Sequence, residues 1–243
     1  MAKNYKKIII LGFLVVVLIA ILAYPKVQTR LKIRHLEKEN AETMEVIKQA
    51  LPENKLLEVP FICQAPLQTV KNWESHEESC EEAALLQAYL YETNSTMTKE
   101  EANQEILKMI DWEKQNLGSH HDLYADDMKQ FIMGYYGLTT DQVKIIYDAS
   151  IEDIKEELNA GHPVIVPVTA KLIDNPYYPY PGYHMLTVIG YTADKIITND
   201  NGTRHGASFS YDTDTFKTAM DDAGGDVVVV EMKGDRLNLL KLD

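Results

Sequence analysis

Apolar positions repeat with helical spacing in the first part of the globular sequence and with strand spacing in the last part. Thr98 with Glu101 forms a capping-box pattern, and Ser150 with Asp153 opens a further helix. Helices are predicted over 80–91, 98–110, 122–136, 150–161 and 212–221, and strands over 57–64, 143–147, 164–168, 184–191, 195–199 and 227–232. Helices followed by an antiparallel sheet indicate an α+β fold.

Residues 8–24 form an uncharged and nearly all apolar run behind three lysines. At about 1.5 Å per residue the run can cross most of a ~30 Å hydrocarbon layer, so we predict one transmembrane helix within residues 1–25. Basic-then-apolar order is typical of a signal peptide or a signal anchor. Ile21-Leu22-Ala23 is a poor cleavage site, which favours a retained anchor.

The orientation of this helix depends on basic residues that lie on both sides of the apolar run. The lysines before the run favour an inside N-terminus, whereas the basic residues after it favour the opposite arrangement. The order of basic and then apolar residues, which is that of a signal sequence, favours the inside N-terminus. We therefore predict a single-pass protein of the cell membrane whose main domain lies outside the cytoplasm.

Residues 26–55 are charged, with apolar positions at roughly helical spacing, and we interpret them as a helical stalk. The globular domain is predicted over 56–243. The net charge is −13, and because the first 25 residues carry three lysines and no acid, the rest carries −16. Such an acidic body disfavours nucleic acid as a partner.

Cys63 and Cys80 are the only cysteines, which excludes a disulfide scaffold and zinc-finger spacing. Cys80 begins a predicted helix, where unpaired backbone N–H groups and the helix dipole favour a thiolate. Because the thiolate is the nucleophilic form, Cys80 is the candidate nucleophile. The alternative is a buried structural cysteine that packs as a small hydrophobe.

A predicted hairpin offers a base and a group to orient it. If the turn has three residues, Leu186 opposes Asp200, and the Asp200 carboxylate lies diagonally beside His184 on one face of the sheet. If the turn has two residues, Asn199 faces His184 instead. Either side chain can accept a proton from imidazole Nδ1, so both remain candidates. Alternatively, His184 is an ordinary histidine of a half-buried strand.

Two other polar sites carry weaker signals. The Gln64 amide is placed to donate to an oxyanion, although an exposed glutamine is the simpler interpretation. The His120-His121-Asp122 segment does not predict a metal site, because adjacent helical side chains diverge by about 100° and no third ligand has suitable spacing. We therefore expect no metal and no cofactor. His76 is interpreted as loop surface.

Several segments in order resemble the bacteriocin-leader (double-glycine) peptidase-like family, a branch of the papain-fold cysteine peptidases. They are Val59-Pro60-Phe61-Ile62-Cys63-Gln64, Trp73, Ser79-Cys80-Glu81-Glu82-Ala83, Tyr183-His184-Met185-Leu186-Thr187-Val188-Ile189-Gly190-Tyr191 and Asn199-Asp200.

The resemblance implies a papain-like fold in which a helical N-terminal half packs on an antiparallel sheet. It implies Cys80 as nucleophile, His184 as general base and then acid, Asp200 as the orienting residue and Gln64 in the oxyanion hole. Trp73 and Tyr183 are candidates for contacting the substrate, and they complete the predicted site.

The chain departs from the family pattern beside its nucleophile. Glu81-Glu82 stands where relatives often have Gly-Pro, and like charge would raise the pKa of the thiol. Asp200 is followed by Asn201 where many relatives have proline. The predicted function is a membrane-anchored cysteine peptidase acting on a peptide or protein. The alternatives are an inactive peptide-binding domain and a thiol acyltransferase or amidase.

Overall fold

The computed structural model describes residues 52–173, 175–177 and 182–232, together with the single helical positions Tyr24, Gln28 and Lys38. The chain divides into two compact units, Met1–Leu51 and Pro52–Asp243. The predicted transmembrane run and nearly all of the predicted stalk lie outside the described residues. Within the described part, no helix is both long and apolar enough to cross a bilayer.

The second unit contains helices in both halves of its sequence. The helices are α1 (Val70–Ser75), α2 (Cys80–Glu92), α3 (Lys99–Asn116), α4 (Ala125–Tyr136), α5 (Ile151–Ala160), α6 (Ala170–Ile173) and α7 (Thr213–Asp222), with a 3₁₀ turn at Thr140–Gln142.

The strands form one antiparallel sheet in the order β2-β7-β3-β4-β5-β6, with β1 paired to the end of β4. Their bounds are β1 (Lys55–Leu56), β2 (Val143–Ile146), β3 (Val164–Thr169), β4 (Tyr183–Tyr191), β5 (Lys195–Asn199), β6 (Phe209–Asp212) and β7 (Val227–Val230).

Both faces of the sheet are covered, which explains why β3 and β7 are apolar at consecutive positions. Ile165 and Val228 point into a core shared with α2, α3 and α4. Their neighbours Val164 and Val229 point into a second core shared with α5 and α7. Because side chains alternate along a strand, a strand buried on both faces needs apolar residues throughout. The α+β class is confirmed.

The helix ends follow local sequence chemistry. Thr98 and Glu101 form a reciprocal capping box, as do Ser150 and Asp153. Gly137 ends α4 with a φ of 69°, in the left-handed region that glycine adopts at low cost. These starts and stops were predicted correctly because they depend on a few neighbouring residues.

Several predicted elements differ from the structure. The strand predicted over 57–64 is wrong: the strand in this region is β1 at Lys55–Leu56, and residues 57–64 contain no strand. Helix α3 continues to Asn116, beyond the predicted end near Ile110. The short elements α1, α6 and β6 were not predicted. These elements are short and lack the continuous apolar run that made the equally short strand β7 predictable.

The β4–β5 hairpin combines both of the registers considered above. Near the turn, Tyr191 opposes Ile196, which is the register of a two-residue turn. An irregularity between Val188 and Gly190 then shifts the pairing, so that Thr187 opposes Asn199. A β-bulge inserts one residue and so moves one register into the other. The open end of the hairpin therefore has the register that places Asp200 beside His184.

Candidate active site

A cavity of about 340 Å³ opens where the start of α2 faces the start of β4. It is lined by five of the six residues predicted for the site: Gln64, Trp73, Cys80, Tyr183 and His184. Exposed glutamates 74, 77 and 78 lie on the α1 side of the same cavity. The structure thus brings together residues separated by up to 120 positions.

Cys80 is the first residue of α2, and the Ser79 side chain makes no cap to the first turn. The Cys80 thiol donates a hydrogen bond to Oε2 of Glu81 at 3.0 Å. Burial, and then the Glu81 carboxylate, raise the pKa of the Cys80 thiol well above its ordinary value. In this conformation the thiol is in its protonated, resting form.

Glu81 connects the Cys80 thiol to the backbone of Leu123. Its Oε1 accepts a hydrogen bond from the Leu123 backbone N–H at 3.0 Å. The Tyr183 hydroxyl donates to the Leu123 carbonyl at 2.8 Å. Burial raises the pKa of Glu81 to about 7. The departure at Glu81-Glu82 therefore places a buried carboxyl group in direct contact with the thiol.

His184 and Asp200 form the pair that the hairpin predicts. Nε2 of His184 lies 3.0 Å from Oδ1 of Asp200, and both side chains are buried. The expectation that Nδ1 would face the orienting residue is wrong, because Nε2 does. Asn199 instead donates its amide to the Val59 carbonyl at 3.0 Å. The structure places Asp200, not Asn199, beside the imidazole.

The Asp200 carboxylate is held by further donors. Asn175 Nδ2 donates to Oδ2 at 3.0 Å, the Gly202 backbone N–H donates to Oδ1 at 3.1 Å, and the Tyr211 hydroxyl donates to Oδ2. Sequence reasoning missed both Asn175 and Tyr211. Tyr211 lies on strand β6, which was not predicted. Several donors to one buried carboxylate fix its position.

Replacing Tyr211 by phenylalanine is expected to lower the free energy of unfolding by about 2 kcal/mol, because a buried hydrogen bond to a carboxylate is lost. The freed Asp200 should also lower kcat/KM for peptide cleavage by about 10-fold. Urea unfolding and a peptide assay measure the two effects. Tyr147→Phe is the matched control, since its hydroxyl donates to Asp126 at the surface; a loss there as large as at Tyr211 would contradict the prediction.

Asn201 links the elements that carry the site. Its buried amide donates to the Cys80 carbonyl at 2.9 Å and to the Met185 carbonyl at 3.0 Å. The backbone carbonyl of Asn201 accepts a hydrogen bond from the Gln64 backbone N–H at 3.0 Å. A proline at this position has no side-chain amide to make these bonds. The departure at Asn201 therefore ties the nucleophile helix to the histidine strand.

Gln64 lies in the cavity wall, with its side chain buried. Its Nε2 donates to the His76 carbonyl at 2.9 Å and to the Glu77 carbonyl at 3.0 Å. Both amide protons are therefore engaged in this conformation. A donor role toward a substrate requires one of these bonds to be exchanged.

His76 is fully buried, so its interpretation as loop surface is wrong. Its Nε2 lies 2.9 Å from Oδ1 of Asn103, which also accepts from the Asn72 amide at 2.6 Å. Burial lowers the pKa of His76. The ring supports the segment between α1 and α2, and it is separate from the residues that line the cavity.

Cys63 is buried and free, as is Cys80. Burial raises the pKa of the Cys63 thiol to about 11, so this thiol is inert at neutral pH. Cys63 thus behaves as a small core residue.

Next to the cavity, Glu82, Glu113 and His120 meet. Burial and the neighbouring Glu81 raise the pKa of Glu82 to about 8. Burial and the neighbouring Glu82 raise the pKa of Glu113 to about 10. Sequence spacing gave no third ligand for His120, because these partners come from two different helices. The expectation of no metal stays a prediction.

An α+β domain with a thiol at a helix start, facing a histidine and an aspartate on an antiparallel sheet, has the architecture of papain-fold cysteine peptidases. The model of the Peptidase C39-like family matches residues 56–224, so the chain belongs to this family.

Similarity to known proteins beyond the family model is structural. The crystal structure of a protein assigned as a C39-like peptidase from Bacillus anthracis has a TM-score of 0.54 and 17% identity. The match covers 74% of this chain and 98% of that one, and it supports the fold alone. No curated protein sequence matches the chain.

Proposed function

We propose that this member of the C39-like family is a cysteine peptidase that hydrolyses peptide bonds through Cys80, His184 and Asp200. The observation that carries the proposal is the shared cavity of Cys80 and His184, with Asp200 fixed 3.0 Å behind the imidazole. Asp200 holds the ring through Nε2, and Nδ1 is the nitrogen that would take the proton of the thiol.

The resting thiol is bonded to Glu81, so activation requires it to turn toward His184. Transfer of the thiol proton to Nδ1 gives a thiolate and an imidazolium. The thiolate attacks the carbonyl carbon and forms a C–S bond. The imidazolium then protonates the amine as the C–N bond breaks, and the amine leaves.

A water molecule completes the cycle. His184 removes a proton from the water molecule while the water oxygen attacks the thioester carbon. The C–S bond then breaks, and the proton returns from His184 to the Cys80 sulfur. The oxyanion of both steps would accept from the Cys80 backbone N–H, at a helix start without a side-chain cap, and from the Gln64 amide. Substrate would displace one of the two carbonyls that Gln64 now contacts.

Charge and shape at the cavity favour a peptide substrate with basic residues. The ring of Trp73 and the exposed Val70 offer apolar contacts beside the three glutamates. We place the domain outside the cytoplasm, held by a membrane anchor within residues 1–25. This location rests on the order of charged and apolar residues alone.

Thiol labelling of the purified full chain tests whether Cys80 is activated. We expect His184→Ala to slow labelling of Cys80 by iodoacetamide at pH 7 at least about 10-fold, because the reactive thiolate forms when the thiol turns toward His184. His121→Ala, which removes an exposed histidine, should leave the rate unchanged. Slow labelling that is indifferent to His184 would support an inactive peptide-binding domain. Mass spectrometry identifies the labelled cysteine.

A further inference from the structure

Three potential metal ligands converge on the side of α2 next to the candidate active site. Glu82 comes from α2, Glu113 from α3, and His120 from the segment between α3 and α4. Their nearest oxygen and nitrogen atoms all lie within 4.8 Å of one another. His120 Nε2 is 2.8 Å from Glu82 Oε1. The proposed peptidase mechanism uses none of these side chains.

The carboxylates of this cluster are buried against each other and against His120. Glu82 and Glu113 are both fully buried. Within the described part of the chain, neither the four carboxylate oxygens nor His120 Nε2 makes a hydrogen bond of acceptable geometry. An unsatisfied buried polar atom costs about 1–3 kcal/mol, and more if it is charged. Such buried atoms, with one ligand atom from each residue within 4.8 Å of the others, indicate a missing ligand that is positively charged.

The donor set identifies the class of that ligand. Imidazole nitrogen and carboxylate oxygen are both ligand types that Zn²⁺ accepts, and three protein ligands leave the fourth tetrahedral position for water. A calcium site needs six to eight oxygens, and magnesium seldom takes imidazole. We propose that Glu82, Glu113 and His120 bind one Zn²⁺ ion. This inference is independent of the proposed peptidase activity.

The ion would join three parts of the fold at one wall of the cavity. It would fix α2 two residues after Cys80, the end of α3, and the segment that leads to Leu123. Leu123 in turn binds Glu81 through its N–H and Tyr183 through its carbonyl. Bound zinc would therefore stabilise the wall formed by Cys80 and Tyr183, acting through structure and not through the substrate.

The test is zinc binding by the full chain, without an affinity tag, after removal of metals with a chelator. We expect elemental analysis to find one equivalent of Zn²⁺ per chain and titration to give a micromolar or lower Kd. Zinc should raise the unfolding temperature by about 5 °C or more. Co²⁺ at the site should give the visible absorption of a tetrahedral complex, and Ca²⁺ and Mg²⁺ should compete weakly.

Matched variants locate the ion. His120→Ala should weaken zinc binding at least about 100-fold and abolish the Co²⁺ spectrum, because it removes one of three protein ligands. His121→Ala changes the adjacent, exposed histidine and should bind zinc like the wild type. Glu113→Gln keeps the shape of the side chain and should also lose binding. Circular dichroism verifies that each variant folds.

Two results would overturn the proposal. One is a chelator-treated chain that takes up less than one equivalent of zinc. The other is a His120→Ala chain that binds zinc as the wild type does. The cluster would then be a pair of buried carboxyl groups held by each other and by His120. Labelling of Cys80 tests the peptidase function separately, so either proposal can fail alone.

Discussion

Replacing Cys80 by alanine is expected to lower kcat/KM for peptide hydrolysis by at least about 10⁴-fold, because no other group of the cavity can form the thioester. Loss of a nucleophile removes the whole covalent route, and only binding and the oxyanion donors remain. The measurement is cleavage of a mixed peptide library by the full chain, with products identified by mass spectrometry. Cleaved peptides should be enriched in basic residues near the scissile bond.

Cys63→Ala is the control for this substitution. Cys63 is the only other thiol, is equally buried, and has a pKa raised to about 11. We expect Cys63→Ala to retain kcat/KM within about 3-fold, at a stability cost of about 1 kcal/mol. Residual cleavage by Cys80→Ala near the wild-type rate would refute the proposed nucleophile.

Analysis of the products of the wild-type chain separates peptidase from acyl transfer. A hydrolase releases a free acid from the thioester, whereas a transferase passes the acyl group to an amine. Both reactions require Cys80 and His184, so mutation alone cannot tell them apart. Incorporation of ¹⁸O from labelled water into the carboxyl product indicates hydrolysis. An added amine that captures all of the acyl group would favour the transferase.

The site could be predicted from the sequence wherever its chemistry is local. The thiol at a helix start follows from the pattern around Cys80, and the hairpin follows from apolar runs on either side of a turn. The sequence could not decide between Asp200 and Asn199, because a bulge near Ile189 changes the register between the turn and the open end. One inserted residue reverses which side chain faces His184.

Long-range polar contacts lay beyond the sequence pattern for a different reason. The packing of separate elements decides the bonds of Asn175 and Tyr211 to Asp200 and the approach of Glu113 to His120. No spacing along the chain encodes these contacts. The burial of His76 was not predicted either, because its polar neighbours in the sequence indicated an exposed position. Polar residues next to one another in sequence can face core or solvent, and tertiary packing decides which.

Gly206→Ala is expected to damage both stability and activity, although residue 206 does not line the cavity. A Cβ at this position would lie 1.7 Å from the Asp200 carbonyl oxygen, a backbone atom. The Asp200 N–H also donates to the Gly206 carbonyl at 2.9 Å, so the two segments are locked together. Because no flexible side chain can yield, the backbone of Asp200 must move.

We expect this substitution to lower the free energy of unfolding by about 3 kcal/mol. Displacing Asp200 by about 1 Å should lower kcat/KM by roughly 10²-fold at temperatures where the variant stays folded. Gly118→Ala is the control: its Cβ would meet no atom within 4 Å, and its φ of 89° should cost about 1 kcal/mol with no loss of activity. If the two variants behave alike, contact between Gly206 and Asp200 does not position the catalytic pair.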